Sequence, residues 1–125
     1  PDIMQTMKAL KENDVKIAIV SNKLDSAVKE LNERFFAEYT ISAIGEMEGV
    51  ARKPAPDMVN KALKELGVTK EEAVYVGDSD VDIATAKNSG LPCISVTWGF
   101  RDVAFLKEHG AKTLIASPLE LLYLV

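Results

Sequence analysis

Short apolar runs alternate with longer amphipathic segments along the chain, and this alternation predicts the secondary structure. Four runs have the length of buried strands and end at turn-forming or polar residues: 15–20, 73–76, 92–97 and 113–116. A weaker strand is predicted over residues 39–44. Because helical patterns separate the strands, the sequence favours parallel β–α–β units and an α/β fold.

Helices are predicted where apolar residues recur at intervals of three and four. The opening segment shows this spacing from Ile3 to Leu10 and ends near a turn signal, Asn13-Asp14. Further helices are predicted over residues 25–36, 57–66, 81–88, 103–108 and 118–124. Residues 45–56 contain two glycines and two prolines without a period, so they predict a loop, and long loops often carry function.

Composition narrows the class of protein. A chain of 125 residues with 47% hydrophobic residues can bury one core and is too short for two ordinary domains. The net charge of −4 gives no electrostatic footprint for nucleic acid or an anionic membrane, so neither is expected as a partner. The single cysteine, Cys93, excludes an internal disulfide and favours the cytoplasm. No apolar run reaches the ~20 residues of a membrane span.

Polar side chains stand at two positions suited to phosphate. Ser21 and Asn22 follow the first predicted strand, where parallel sheets form ligand sites, and both can donate hydrogen bonds to phosphoryl oxygens. Each could instead begin a turn or cap a helix. Lys53 lies in a loop that Pro54 and Pro56 stiffen, and its ammonium suits phosphate, although a solvated loop lysine is the simpler interpretation.

The most specific signal is a group of three carboxylates, Asp78, Asp80 and Asp82, directly after a predicted strand and Gly77. Like charges so close repel one another unless water or a cation compensates, and carboxylate oxygens suit Mg²⁺. Asp78 ends the strand and Asp82 lies one helical turn later, so both can point to one place, whereas Asp80 should diverge. Capping of the following helix explains the same residues, by about 0.3 to 1 kcal/mol, and both interpretations stay open.

Taken in chain order, these residues resemble the motifs of the haloacid dehalogenase superfamily. Ser21 matches its second motif, Lys53 its third, and Asp78 with Asp82 its fourth. The resemblance covers essentially the whole chain, including residues 96–100, which are similar to a loop of phosphoglycolate phosphatases. It implies a Rossmann-like three-layer α/β/α core with a mostly parallel sheet, of which residues 1–125 form the C-terminal part.

The resemblance also implies an activity and a role for each residue. The complete enzyme would hydrolyse a small phosphorylated metabolite with Mg²⁺ through an aspartyl-phosphate intermediate. Asp78 and Asp82 would form the metal site, with Asp82 placing Asp78 or a metal-bound water. Ser21 and Asn22 would donate to the phosphoryl group, and Lys53 would neutralise its charge.

One motif of the family is missing. No Asp-x-Asp-Gly occurs in the sequence, so the nucleophilic aspartate and the small cap that follows it are not found in this chain. The chain begins at Pro1 rather than Met, which leads us to expect an upstream segment, and the chain alone should be inactive. Two alternatives are a non-catalytic interaction domain and a phosphoacceptor receiver domain, although a receiver would place its acids before the hydroxyl and the lysine.

The missing motif has a consequence for the sheet. In the family its strand lies between those that end at the second and fourth motifs, so the strands at 15–20 and 73–76 would face each other across about 9.6 Å. Unpaired backbone edges are unfavourable inside a core. Three outcomes are therefore predicted: the two strands pair directly, a second chain donates a strand in a dimer, or an N-terminal strand of the same protein fills the gap.

Overall fold

The structure, a computed structural model, describes residues 2–97 and 102–124. Helices and strands alternate through both ranges, as the sequence predicts. The helices are α1 (Asp2–Glu12), α2 (Asp25–Phe35), α3 (Asp57–Leu66), α4 (Asp80–Ser89) and α5 (Val103–Glu108), with short 3₁₀ helices at Lys70–Glu72 and Pro118–Tyr123. The strands are β1 (Ala18–Leu24), β2 (Ser42–Glu46), β3 (Tyr75–Gly77), β4 (Cys93–Val96) and β5 (Thr113–Ile115). None of these helices combines the length and the apolar character that a membrane crossing needs.

The α/β prediction is confirmed, and the differences lie at the ends of elements. α3 and α5 have the predicted bounds, whereas β1 begins at Ala18 and continues through the polar residues to Leu24. Its pairing with β2 is regular from Ala18 to Val20 and resumes at Leu24 opposite Glu46, so the polar residues 21–23 lie in an irregular stretch of the strand. Residues 118–124, predicted as a helix, form a 3₁₀ helix at Pro118–Tyr123.

The described strands form two parallel sheets rather than one. β1 pairs with β2, and β4 pairs with both β3 and β5. No pairing joins β1 to β3 in this part of the chain, and a cavity of about 870 Å³ lies between them, lined by Val20 of β1 and Val76 of β3. Leu10 of α1 and Leu63 of α3 also line the cavity.

Direct pairing of β1 and β3, one of the three predicted outcomes, is not found in the described residues. The expectation that two unpaired edges could not face each other across a gap is likewise not met in the described residues. Side chains of α1 and α3 line the cavity that separates the two strands. Strand donation by a second chain and an N-terminal strand of the same protein remain predictions.

α3 connects the two sheets through the core. Its residue Met58 is fully buried and packs with Ile44 of β2, while Val59, one position later, belongs to a cluster with Tyr75 of β3. Burying a side chain of this size stabilises the fold by about 1.5 to 3 kcal/mol. The helix therefore packs on both sheets at once, with neighbouring residues directed to different sides.

Candidate functional site

Asn22, at the end of β1, binds the backbone of Lys53 at two points. Its Oδ1 accepts a hydrogen bond from the Lys53 N–H at 2.8 Å, and its Nδ2 donates to the Lys53 carbonyl at 3.2 Å. The side-chain amide predicted to donate to phosphate thus holds the lysine loop. The Ser21 hydroxyl accepts from the Lys23 N–H at 3.2 Å, which is the turn-forming role that the sequence left open. Phosphate contact by Ser21 and Asn22 stays a prediction.

The Lys53 loop is also held from the other side. Asn88, near the end of α4, donates from Nδ2 to the Pro54 carbonyl at 2.9 Å. The loop is closed on itself by the Ala55 N–H, which donates to the Arg52 carbonyl at 2.9 Å. The side-chain amides of Asn22 and Asn88 therefore hold the backbone at Lys53 and at Pro54, respectively.

The Lys53 side chain enters the protein and forms a three-membered group with Tyr75 and Asp82. Lys53 Nζ donates to Asp82 Oδ1 at 2.7 Å and to Tyr75 Oη at 3.1 Å, and the Tyr75 hydroxyl donates to the same Asp82 oxygen at 2.9 Å. We call this group the Lys53–Tyr75–Asp82 triangle. Its ion pair is shielded from water, since the side chains of Lys53 and Asp82 are only 13% and 9% exposed.

The triangle changes the acid–base properties of its members. Burial, reinforced by the negative charge of Asp82, raises the pKa of the Tyr75 hydroxyl, so it stays protonated as a donor. Burial alone would raise the pKa of Asp82, but the Lys53 hydrogen bond and charge outweigh it and hold that pKa below its usual value. At neutral pH the triangle therefore contains a carboxylate and a neutral phenol.

The second oxygen of Asp82 is bonded at the start of α4. Oδ2 accepts from the Asp78 N–H at 2.9 Å and from the Ser79 hydroxyl at 3.2 Å, while Ser79 caps the helix by accepting from the Asp82 N–H. Gly77 makes this approach possible, because a Cβ there would lie 2.2 Å from the Asp82 Cβ. Both oxygens of Asp82 thus accept hydrogen bonds from within the chain. Oδ2 contributes to the start of α4, as the capping interpretation predicts, and Oδ1 forms an ion pair in addition.

The structure brings together four of the five predicted site residues. Asn22 is bonded to Lys53, Lys53 to Asp82, and Asp82 to the backbone of Asp78. The described residues contain no group of three or more histidine, cysteine, aspartate or glutamate side chains suited to a metal. Metal binding at Asp78 and Asp82 therefore stays a prediction. Residues 98–100 of the loop likened to phosphoglycolate phosphatases lie outside the described residues.

Two bonded residues were missed from the sequence. The sequence predicts Tyr75 only as part of an apolar strand, although its hydroxyl, three positions before Asp78, places a polar group next to the acidic cluster. Asn88 is predicted only as the end of a helix, and no local pattern indicates its bond to Pro54, 34 residues away. Long-range bonds of this kind depend on the fold.

The fold and the site together define a class. Polar groups collect at the carboxyl ends of parallel strands, the position at which open α/β sheets bind ligands. Residues 1–96 match the family described as haloacid dehalogenase-like hydrolase, and the chain belongs to this family.

Individual relatives are phosphatases by name. The chain is 36% identical to a phosphoglycolate phosphatase of Aquifex aeolicus over 80% of its own length and 47% of the relative. It is 33% identical to pyrophosphatase PpaX of Halalkalibacterium halodurans over 98% of the chain and 58% of the relative. A crystal structure of a phosphoglycolate phosphatase candidate from Lactobacillus delbrueckii subsp. bulgaricus superposes with a TM-score of 0.94 at 46% identity, covering 97% of this chain and 51% of that one. The chain thus spans about half the length of the relatives it matches.

Proposed function

We propose that this chain forms the phosphate- and metal-binding half of a Mg²⁺-dependent phosphatase that hydrolyses a small phosphorylated metabolite in the cytoplasm. The observation that carries the proposal is the shielded Lys53 ammonium, which is bonded to Asp82 beside the acidic turn after β3, while Asn22 anchors the Lys53 backbone. A shielded lysine is suited to stabilise the charge of a phosphoryl group, since it loses little entropy on binding and acts in a low dielectric. The names of the relatives support phosphoglycolate and pyrophosphate as substrates to test.

Asp78 is the residue that we propose to coordinate the metal. Mg²⁺ commonly takes one or two carboxylates together with water and substrate oxygens, so a single carboxylate here fits a shared site and not a complete one. When bound, the metal would neutralise charge on the phosphoryl group. Asp82 would contribute by holding the Asp78 backbone through its Oδ2. This assigns Asp82 to the metal site as a support, because both of its oxygens already accept hydrogen bonds.

The covalent step requires a carboxylate that this sequence does not supply in the family's first motif. In the proposed reaction that carboxylate attacks phosphorus, the substrate oxygen leaves and takes up a proton, and water then hydrolyses the aspartyl-phosphate to inorganic phosphate. Ser21 and Asn22 would donate to the phosphoryl oxygens while Lys53 balances their charge. The chain alone should show no turnover of phosphoglycolate.

We propose that the cavity between β1 and β3 takes the strand that carries the nucleophile, supplied by the same protein or by a second chain. A strand that paired with both sheets would satisfy the backbone groups that face the cavity. Size-exclusion chromatography separates the two sources, because donation between chains requires a dimer.

Binding of Mg²⁺ tests the metal part of the proposal. Isothermal titration of the chain should show weak Mg²⁺ binding that Asp78→Ala abolishes. Glu33→Ala, which removes one negative charge from an exposed position of α2, is the matched control and should bind like the unmodified chain. If the Asp78 variant responds as the control does, the acidic turn is a helix cap and the metal site is elsewhere.

A further inference from the structure

We infer that Tyr75 is a positioning residue that acts through Lys53: its hydroxyl fixes the direction of the ammonium group toward the phosphoryl ligand. The inference rests on the proposed function, because it assumes that Lys53 binds the phosphoryl group. Tyr75 itself does not need to touch the substrate. It is carried by the geometry of the Lys53–Tyr75–Asp82 triangle, and by the place of Tyr75 in the core.

The argument begins with the number of donors. A lysine ammonium has three N–H bonds and can rotate about its last carbon–nitrogen bond. In the triangle one N–H points to Asp82 Oδ1 at 2.7 Å and a second to Tyr75 Oη at 3.1 Å. Two fixed acceptors define the rotation, so the third N–H has one direction in which to meet a ligand. Asp82 alone would leave the rotation about its own hydrogen bond undefined.

The direction of the Tyr75 hydroxyl is also determined. Its single proton is donated to Asp82 at 2.9 Å, so the oxygen lone pairs face Lys53 and accept. Each side of the triangle is thus a hydrogen bond with an assigned donor. The phenol oxygen is therefore bonded to both the ammonium and the carboxylate, which are also bonded directly to each other at 2.7 Å.

Packing of the Tyr75 ring restrains the position of its hydroxyl. Tyr75 is 8% exposed and belongs to a buried cluster with Val59, Leu63, Ala86 and Leu91. Lys53 Nζ lies 5.8 Å from the centre of the ring. Contacts within this cluster restrain the ring although it also lines the cavity between β1 and β3, so the hydroxyl does not follow the lysine freely if the lysine shifts. The core therefore determines where the ammonium points.

A double-mutant cycle on phosphate binding tests this. Tyr75→Phe keeps the ring and removes only the hydroxyl, and Tyr39→Phe makes the same change in the turn after α2 as a control. With Lys53 present, we expect Tyr75→Phe to weaken the binding of inorganic phosphate about three- to tenfold, in line with the loss of one hydrogen bond. In a Lys53→Met background the same change should have no further effect, because its route is gone.

A second measurement does not need phosphate. In the ligand-free chain, the ¹⁵N-bound ammonium protons of Lys53 should exchange slowly with water and give a resolved NMR signal, since the group is shielded and bonded twice. Tyr75→Phe should broaden this signal, because loss of one hydrogen bond lets the ammonium protons exchange faster with water, whereas Tyr39→Phe should leave it unchanged. Amide spectra of each variant establish that the fold is retained.

The outcomes separate this inference from the proposed function. Equal weakening in both lysine backgrounds, or an unchanged ammonium signal in Tyr75→Phe, would overturn the positioning role. If the unmodified chain binds no phosphate, the proposed function fails at that point, and the ammonium signal alone decides on Tyr75. The same signal decides if Lys53→Met reduces binding below detection.

Discussion

Asp25 and Asp82 both lie in the first turn of a helix that follows a strand, but their lysine partners lie at very different distances along the chain. Each follows a strand of a parallel sheet, and each accepts hydrogen bonds from a lysine and from a backbone N–H. Asp25 takes its lysine, Lys29, from the next turn of its own helix and its N–H from Gly45 on the neighbouring strand. Asp82 takes its lysine from a loop 29 residues away.

Exposure follows from this difference. The side chains of Lys29 and Asp25 are 54% and 23% exposed, whereas Lys53 and Asp82 are 13% and 9% exposed. A local pair on one helix can form at the surface, but a pair that joins separate segments is enclosed by both of them. In this chain, the enclosed carboxylate is the one whose lysine comes from a distant segment.

The largest difference in stability is expected between variants in which one or the other carboxylate is neutralised. Asp82→Asn leaves the Lys53 ammonium in a shielded place without its counter-charge, and should lower the free energy of unfolding by about 3 kcal/mol. Asp25→Asn disturbs a more exposed pair and should cost less than about 1 kcal/mol. Denaturation with urea measures both. Equal losses would mean that the two carboxylates play equivalent structural parts, and the comparison would fail.

A smaller effect is expected at the two glycines that accompany these carboxylates. A Cβ at Gly77 would lie 2.2 Å from the Asp82 Cβ, and one at Gly45 would lie 2.5 Å from the Lys23 carbonyl oxygen. Each glycine-to-alanine variant should therefore lose about 1 to 3 kcal/mol of stability from overpacking.

Only the change at Gly77 should expose Lys53, because it displaces the carboxylate that holds the ammonium. Acylation of Lys53 by a water-soluble anhydride, followed by peptide mass spectrometry, should be faster in Gly77→Ala than in Gly45→Ala. Equal rates in the two variants would show that the lysine is held by its loop alone.

The smallest effect is on the dependence of stability on pH. For Asp25, burial alone would raise the pKa, but the bonds from Lys29 and the Gly45 N–H hold it below its usual value, as Lys53 does for Asp82. Both carboxyls then bind protons at a lower pH when folded than when unfolded. Their contribution is present above the unfolded pKa of about 4 and is lost as pH falls through the folded pKa. Unfolding followed between pH 5 and pH 2 should show a shallower decline in stability for Asp82→Asn, and likewise for Asp25→Asn, than for the unmodified chain.

Periodicity and strand-end position were enough to predict the α/β fold, the helices over residues 57–66 and 103–108, and the candidate residues Asn22 and Asp82 that the structure bonds to Lys53. Periodicity alone did not predict that the sheet is divided; the family resemblance implied a gap between the strands at 15–20 and 73–76, and the cost of unpaired backbone edges argued against an open one. The ion pair between Asp82 and Lys53 could not be predicted from local sequence either, because the fold brings the two residues together. Tyr75 was missed because a phenol in an apolar strand gives the same pattern as any buried aromatic residue.

The use of α3 by both sheets has a consequence for cooperativity. Two sheets without hydrogen bonds to each other could in principle unfold in separate transitions. Here the adjacent residues Met58 and Val59 of α3 pack in different hydrophobic clusters, one with each sheet. Unfolding of either sheet therefore removes packing contacts from the helix on which the other sheet also packs. The two halves should therefore unfold in a single transition seen alike by every probe, and cutting the chain within residues 47–56 should leave neither half folded by itself.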